Sequence, residues 1–116
     1  MAAEKSNSVA NTRQPRLYFC YIVRCADGSL YTGITTDLTR RVKQHNDGKG
    51  AAYTRLHGPV ELVYAEIQPD RGTATKRESQ MKRFPRSKKL QLIAELPPGK
   101  LEEHIATTQE KPLSKN

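Results

Sequence analysis

Apolar residues follow two rhythms along this chain. "LYFCYIVR", residues 17 to 24, is rich in aromatic and β-branched residues, and "LYTGIT", residues 30 to 35, resumes that composition after "ADGS", whose Asp-Gly pair suits a tight turn. The pattern predicts a β-hairpin. Strand alternation puts Tyr21 with Val23 on one face and Cys20 with Ile22 on the other. A third strand is predicted for "VELVYAEI", residues 60 to 67, entered through His57-Gly58-Pro59 and closed by "QPDRG".

The other rhythm is helical. In "TDLTRRVKQHNDGKG", Leu38 and Val42 lie one turn apart, Thr36 or Asp37 can cap the start, and the Asn and Gly of "NDGKG" end the helix. A second helix is predicted from about Thr73 to Phe84, stopped by Pro85. Ser87 can cap a third, "KKLQLIAEL", with Leu90, Ile93 and Ala94 on one face. Residues 1–16 show no periodic apolar face, residues 97–116 begin "PPGK" and end in mixed polar residues, and both are expected to be flexible tails around one domain, residues 17–96. The predicted fold class is α+β, a small three-stranded antiparallel sheet flanked by helices.

Composition narrows this picture. Only 35% of the 116 residues are apolar, and a folded part of roughly eighty residues is about the smallest that stands without disulfides or a structural metal. Cys20 and Cys25 fall on one predicted strand, ~16 Å apart if extended, too far to bridge. No charged-then-apolar leader opens the chain and no apolar run approaches a membrane span, which predicts a soluble protein of the reducing cytoplasm with no membrane partner.

The net charge of +8 favours polyanionic partners, nucleic acid first. Residues 70 to 89, "DRGTATKRESQMKRFPRSKK", hold eight Lys or Arg against two acids. Such a cluster is either a solvated helical face or a source of sequence-independent, salt-sensitive affinity.

Three residues break the helical pattern. Arg41 and His45 fall beside Leu38 and Val42, so a cation and an imidazole are aimed toward the sheet. Glu78 lies between Ala74 and Met81 on the second helix's apolar stripe. Inward-facing polar groups need partners. Glu78 can pair with Arg41, close a capping box with Thr75, or hold a metal. Taken together, Tyr21, Tyr31, Arg41, His45 and Glu78 can converge on one face of the sheet, a set that suits phosphodiester hydrolysis. A single carboxylate can hold Mg²⁺, a guanidinium can bridge phosphate oxygens, and a Tyr or His can take a proton from water.

Those residues also carry a resemblance. Cys20-Tyr21, Tyr31-Thr32-Gly33 and "RRVKQH" resemble the core of the GIY-YIG nuclease superfamily, and "ADGSLYTGITTDLTRRVKQHN" is similar to its small stand-alone YhbQ-like branch. The likeness spans about residues 17 to 95. It implies a GIY-YIG endonuclease-like fold in which Tyr21 and Tyr31 are the active-site tyrosines of the two motifs. Gly33 becomes the second motif's glycine, kept bare so that no side chain obstructs the adjacent cleft. Arg41 becomes the arginine on the scissile phosphate, His45 a hydrogen-bond partner or base, and Glu78 the ligand of one divalent ion, Mg²⁺ or Mn²⁺. Phe19-Cys20 stand where the first motif has Gly-Ile, Ile34 where some members have Lys, and "PRSKKLQLI" supplies basic residues where many members have an Asn.

Two further features suit a nucleic-acid cleft. "GKGAAYTR" places Lys49, Tyr53 and Arg55 in a predicted loop, where the cations can follow a backbone and Tyr53 can stack on a base. Lys88 and Lys89 can grip a phosphate. His57 and His104 have no such context and are expected to be ordinary polar residues. The expected activity is metal-dependent hydrolysis of DNA with low sequence specificity, in repair or recombination. The rivals are a non-catalytic nucleic-acid-binding module and a subunit dependent on a larger repair or recombination partner.

Overall fold

Strand β1, Tyr18–Cys25, turns through Ala26–Ser29 into β2, Leu30–Thr35. Gly28 takes the left-handed conformation there, with φ of 88°, and Asp27 Oδ1 accepts from the Ser29 amide at 3.0 Å. The hairpin register pairs Tyr21 with Gly33 and Val23 with Tyr31, so Tyr31 sits diagonally beside Tyr21 on the same face. Strand β3, Val60–Gln68, adds antiparallel to the other side of β1, giving the order β2-β1-β3. Pairing jumps from Ile22–Tyr64 to Val23–Leu62, which leaves Val63 as a bulge residue on β3. The structure is a computed structural model and describes residues 17–109.

The two faces of β1 bury two separate cores, as the alternation predicts. Phe19, Tyr21, Val23 and Cys25 pack with Leu38 and Val60 on one side. Cys20 and Ile22 pack with Tyr64, Ala74 and Met81 on the other. Both cysteines are buried and free.

Among the described residues five helices cover these faces. Helix α1, Leu38–Asn46, is capped by Asp37, whose side chain accepts from the Arg40 amide at 3.0 Å, and it ends where Gly48 turns left-handed at φ 77°. Helix α3, Arg71–Lys82, begins two residues before the predicted start because Asp70 supplies the cap, accepting from the Thr73 amide at 2.7 Å. Thr75 is therefore inside the helix and forms no capping box with Glu78. Helix α4, Arg86–Glu95, starts behind Pro85 rather than Ser87, and it packs Leu92, Ile93 and Leu96 while Leu90 and Ala94 stay exposed. Ile93 belongs to both sets, and the way α4 packs on the sheet decides which of its flanks is covered.

Two helices were not anticipated. The predicted loop around Tyr53 and Arg55 contains α2, Ala52–His57, whose six residues bury only Thr54 and so give no apolar repeat. The predicted C-terminal tail is corrected by α5, Lys100–Gln109, which lays Leu101 and Ile105 on the Leu38 core. Glu102 and Glu103 in its first turn favour the helix dipole. The expected N-terminal tail, and residues 110–116 of the C-terminal one, lie outside the described residues. Among the described residues no helix is long and apolar enough to cross a membrane.

Candidate functional site

Tyr21 points from the central strand toward edge strand β2, under its cross-strand partner Gly33. A Cβ on Gly33 would stand 2.5 Å from the Tyr21 hydroxyl. The glycine thus makes room for Tyr21 itself, which corrects the expectation that it spares a neighbouring cleft. Helix α1 then presents two side chains one turn apart to that hydroxyl: Arg41 Nε donates to it at 3.3 Å, and His45 Nε2 lies 2.8 Å away. The Arg41 fork is steadied by a second bond, Nη1 to Gln44 Oε1 at 3.0 Å.

His45 is only 2% exposed and sits edge-on to both motif tyrosines, 5.9 Å from Tyr21 and 5.5 Å from Tyr31 between ring centroids. Burial first, and the nearby Arg41 charge second, push its pKa from 6.5 down to about 4, so the ring is neutral at pH 7. Burial pushes the Tyr21 phenol up to about 12, against the opposing pull of Arg41. The site therefore holds an un-ionised phenol against an un-ionised imidazole, with a guanidinium beside them.

The far side of the imidazole is held by a residue that pattern reading missed. Thr54 of α2 is fully buried, and its Oγ1 lies 2.7 Å from His45 Nδ1 and 3.0 Å from the Ala51 carbonyl. Its only sequence signal was position, one residue from Tyr53 in a segment read as loop.

Tyr53 is placed differently from its expected role as a base-stacking platform. One side of its ring stacks on His57, with centroids 4.1 Å apart, and it also lies nearly parallel to Tyr31 at 5.9 Å. The ring joins α2 to the sheet and offers solvent its remaining edge, 39% of the residue being exposed. Lys49 and Arg55 are exposed nearby, Lys49 in the turn after α1 and Arg55 on α2. His57 is more than an ordinary polar residue, because it also bonds the Tyr53 carbonyl at 2.7 Å and faces Asp27 at 3.8 Å. His104 packs edge-on against Phe19 at 5.6 Å.

The five residues do not gather on one face. Tyr21, Tyr31, Arg41 and His45 belong to the α1 side, whereas Glu78 comes from α3, which packs on the opposite side of the sheet through Ala74 and Met81. Glu78 still lies close enough for its charge to raise the Tyr21 phenol. It forms no ion pair with Arg41; its carboxylate meets Lys82 at 3.3 Å instead. Beyond Lys82, Lys89 has a pKa lowered by burial and by the Lys82 charge. Lys88 is exposed and lies 5.0 Å over the Phe84 ring.

Among the described residues no group of three or more His, Cys, Asp or Glu side chains is placed to hold a metal. Glu78, a half-buried carboxylate, is a hard oxygen donor of the kind that can hold a divalent ion with waters and substrate oxygens completing the shell.

Comparison with known proteins gives the family. Residues 17–91 match the family described as the GIY-YIG catalytic domain. A UPF0213 protein of Staphylococcus saprophyticus is 50% identical over 78 residues, covering 67% of this chain and 95% of that protein. A UPF0213 protein of Staphylococcus aureus is 51% identical over the same length and shares. Among solved structures, the UPF0213 protein BH0048 of Bacillus halodurans is 38% identical, with a TM-score of 0.44 over 86% of this chain and 99% of that one. Protein EF2693 of E. faecalis is 31% identical, with a TM-score of 0.43 over 86% and 95%.

Proposed function

Because the chain belongs to the GIY-YIG catalytic-domain family, and groups within it with UPF0213 proteins, we propose that it is a metal-dependent nuclease that hydrolyses DNA phosphodiester bonds. The observation that carries the proposal is the hydrogen-bonded chain from half-buried Arg41 to buried Tyr21 and His45, with bonds of 3.3 and 2.8 Å. A guanidinium, a phenol and a neutral imidazole are what an in-line attack on a phosphodiester requires for charge and proton handling.

In this reading Arg41 binds the scissile phosphate and stabilises the charge that grows on its oxygens. Water gives a proton to Tyr21 Oη while Tyr21 passes its own proton to His45 Nε2. The water oxygen bonds to phosphorus as the bond from phosphorus to the leaving oxygen breaks; the bonding pair departs with that oxygen, which takes a proton from solvent, and His45 returns its proton to solvent after the product leaves. Tyr21 never becomes a free phenolate, which its high pKa would oppose. The weak basicity of His45 is partly due to Arg41, so a phosphate that neutralises Arg41 raises the proton affinity of the imidazole when substrate arrives. Tyr31, edge-on to His45, positions the ring and the water.

Glu78, whose charge reaches Tyr21 across the sheet, would hold the ion, and Mg²⁺ or Mn²⁺, when bound, would supply Lewis-acid polarisation of the phosphate. Lys49, Arg55, Lys88 and Lys89 would contact the backbone, which carries affinity without sequence information. Discrimination then rests on strand shape or single-strandedness, as suits repair or recombination. The two free thiols fit the reducing cytoplasm.

The test incubates the protein and its Glu78→Ala variant with end-labelled single-stranded, duplex and flapped DNA in Mg²⁺, Mn²⁺ or chelator. Metal-dependent cutting that disappears in the variant, with DNA affinity retained, is the expected result. No cutting by the wild type, with salt-sensitive binding intact in both, would instead favour a binding module or a partner-dependent subunit.

A further inference from the structure

The hydrogen bonds around His45 favour one direction for each proton. Thr54 Oγ1 is 3.0 Å from the Ala51 carbonyl, which can only accept, and the arrangement that makes both this contact and the one with His45 Nδ1 into hydrogen bonds puts the hydroxyl proton on the carbonyl. Only lone pairs remain on Oγ1 for His45 Nδ1, 2.7 Å away, and Nδ1 must carry the hydrogen of that bond. A neutral imidazole has one N–H. Nε2 is therefore an acceptor, and the 2.8 Å contact with Tyr21 is a bond that the phenol donates. Arg41 Nε, which can only donate, occupies one lone pair of the same phenol oxygen.

The opposite tautomer would reverse the site. With hydrogen on Nε2, His45 would donate to Tyr21, whose oxygen already accepts from Arg41; both lone pairs would be filled and the phenol proton turned away from the ring. Tyr21 could then give a proton to a bound molecule but could not take one from water. A single hydrogen position thus separates a base relay from an acid.

We propose that Thr54 is a positioning residue for phosphodiester cleavage, holding His45 in the Nδ1–H tautomer so that Nε2 stays open to the Tyr21 proton. This rests on the nuclease reading above. Two observations make the hold firm. Thr54 is 0% exposed and His45 2%, so bulk water does not stand in for the hydroxyl. Gly50 also closes on the same Nδ1 edge of the ring, since a Cβ there would collide with His45 Nδ1 and stand 3.0 Å from its Cα, which leaves no room for another group to replace Thr54 beside that nitrogen. On this view the short helix α2 exists to bring one hydroxyl and one carbonyl to the back of the histidine.

The experiment records long-range ¹⁵N–¹H spectra of the His45 imidazole in the wild type, Thr54→Val and Thr54→Ser, together with their cleavage kinetics. The wild type should show Nδ1–H. Thr54→Val, close in shape but lacking the hydroxyl, should lose that single tautomer and lower kcat by ~10²-fold with KM nearly unchanged. Thr54→Ser should restore both. An Nε2–H wild type overturns the proposal, as does Thr54→Val keeping Nδ1–H, whether its kcat is normal or reduced. If Thr54→Val does not fold, the wild-type tautomer and the serine variant still decide: a serine variant with Nδ1–H but defective kcat counts against the role. The spectra are read on free protein, so a wild type that cuts no DNA defeats the nuclease reading separately from the tautomer.

Discussion

The hydroxyl of Tyr21 fills the space that any side chain on Gly33 would enter, lying 2.5 Å from where that Cβ would begin. The pair faces across the hairpin, so neither can move away without breaking strand register.

Gly33→Ala should therefore act through Tyr21. The added methyl must push the phenol off its bonds to Arg41 and His45, at a strain cost of about 1–3 kcal/mol. Cleavage should fall by ~10²-fold or more, while the Tm drops by several degrees and the fold persists. Steady-state kinetics and thermal denaturation check this. Full activity in the variant would show that the Tyr21 hydroxyl can leave its place without consequence.

His45 should make stability depend on pH. Its folded pKa is depressed from 6.5 to about 4, so between those values the unfolded chain binds a proton that the native protein refuses. Stability is greatest above about 6.5 and is lost as pH falls toward 4, by up to roughly 3 kcal/mol. Urea titrations across that range should show the slope, and His45→Gln should flatten it. Arg41→Gln should raise the His45 pKa, because it removes the second cause of the shift. An unmoved histidine would mean that burial acts alone.

The strands were legible because alternation and turn chemistry agreed: "LYFCYIVR", "ADGS" and "LYTGIT" each pointed to the same hairpin. Arg41 and His45 stood out because polar groups on an apolar stripe need partners. Other features left no such mark. Helix α2 buries only Thr54, α5 contributes two apolar residues, and α4 has apolar residues on both flanks of Ile93. The arrival of Glu78 from the opposite side of the sheet depends on how α3 crosses it, which is a tertiary fact. Thr54 matters through its bonds to His45 and Ala51, and a threonine in an apparent loop announces neither.

The lysines at the start of α4 should govern the salt dependence of DNA binding. Lys89 is held beside Lys82 and partly desolvated, an arrangement that a phosphate between the two ammonium groups would relieve. Replacing Lys88 and Lys89 together by Gln should weaken affinity uniformly across sequences and reduce the slope of log K against log salt by about 1–2. The rate of bound substrate should change little. Fluorescence anisotropy from low to moderate salt provides the measurement, and an unchanged slope would place the DNA path elsewhere.

Helix α5 should be part of the domain. Leu101 and Ile105 pack on the core formed by Phe19, Tyr21 and Leu38, behind the helix that carries Arg41 and His45. Both are partly buried, so replacing them together by Ala should cost about 2 kcal/mol, below the range for fully buried side chains. Chemical denaturation should show the loss as a lower midpoint with little change in slope, since the folded core is otherwise retained. Because α5 contacts α1 from behind, the same variant should loosen the register of Arg41 and His45 against Tyr21 and lower cleavage at temperatures well below its Tm. Equal stability in the variant and the wild type would return residues 100–109 to the status of a tail, whereas a stability loss with unchanged cleavage would limit α5 to holding the core.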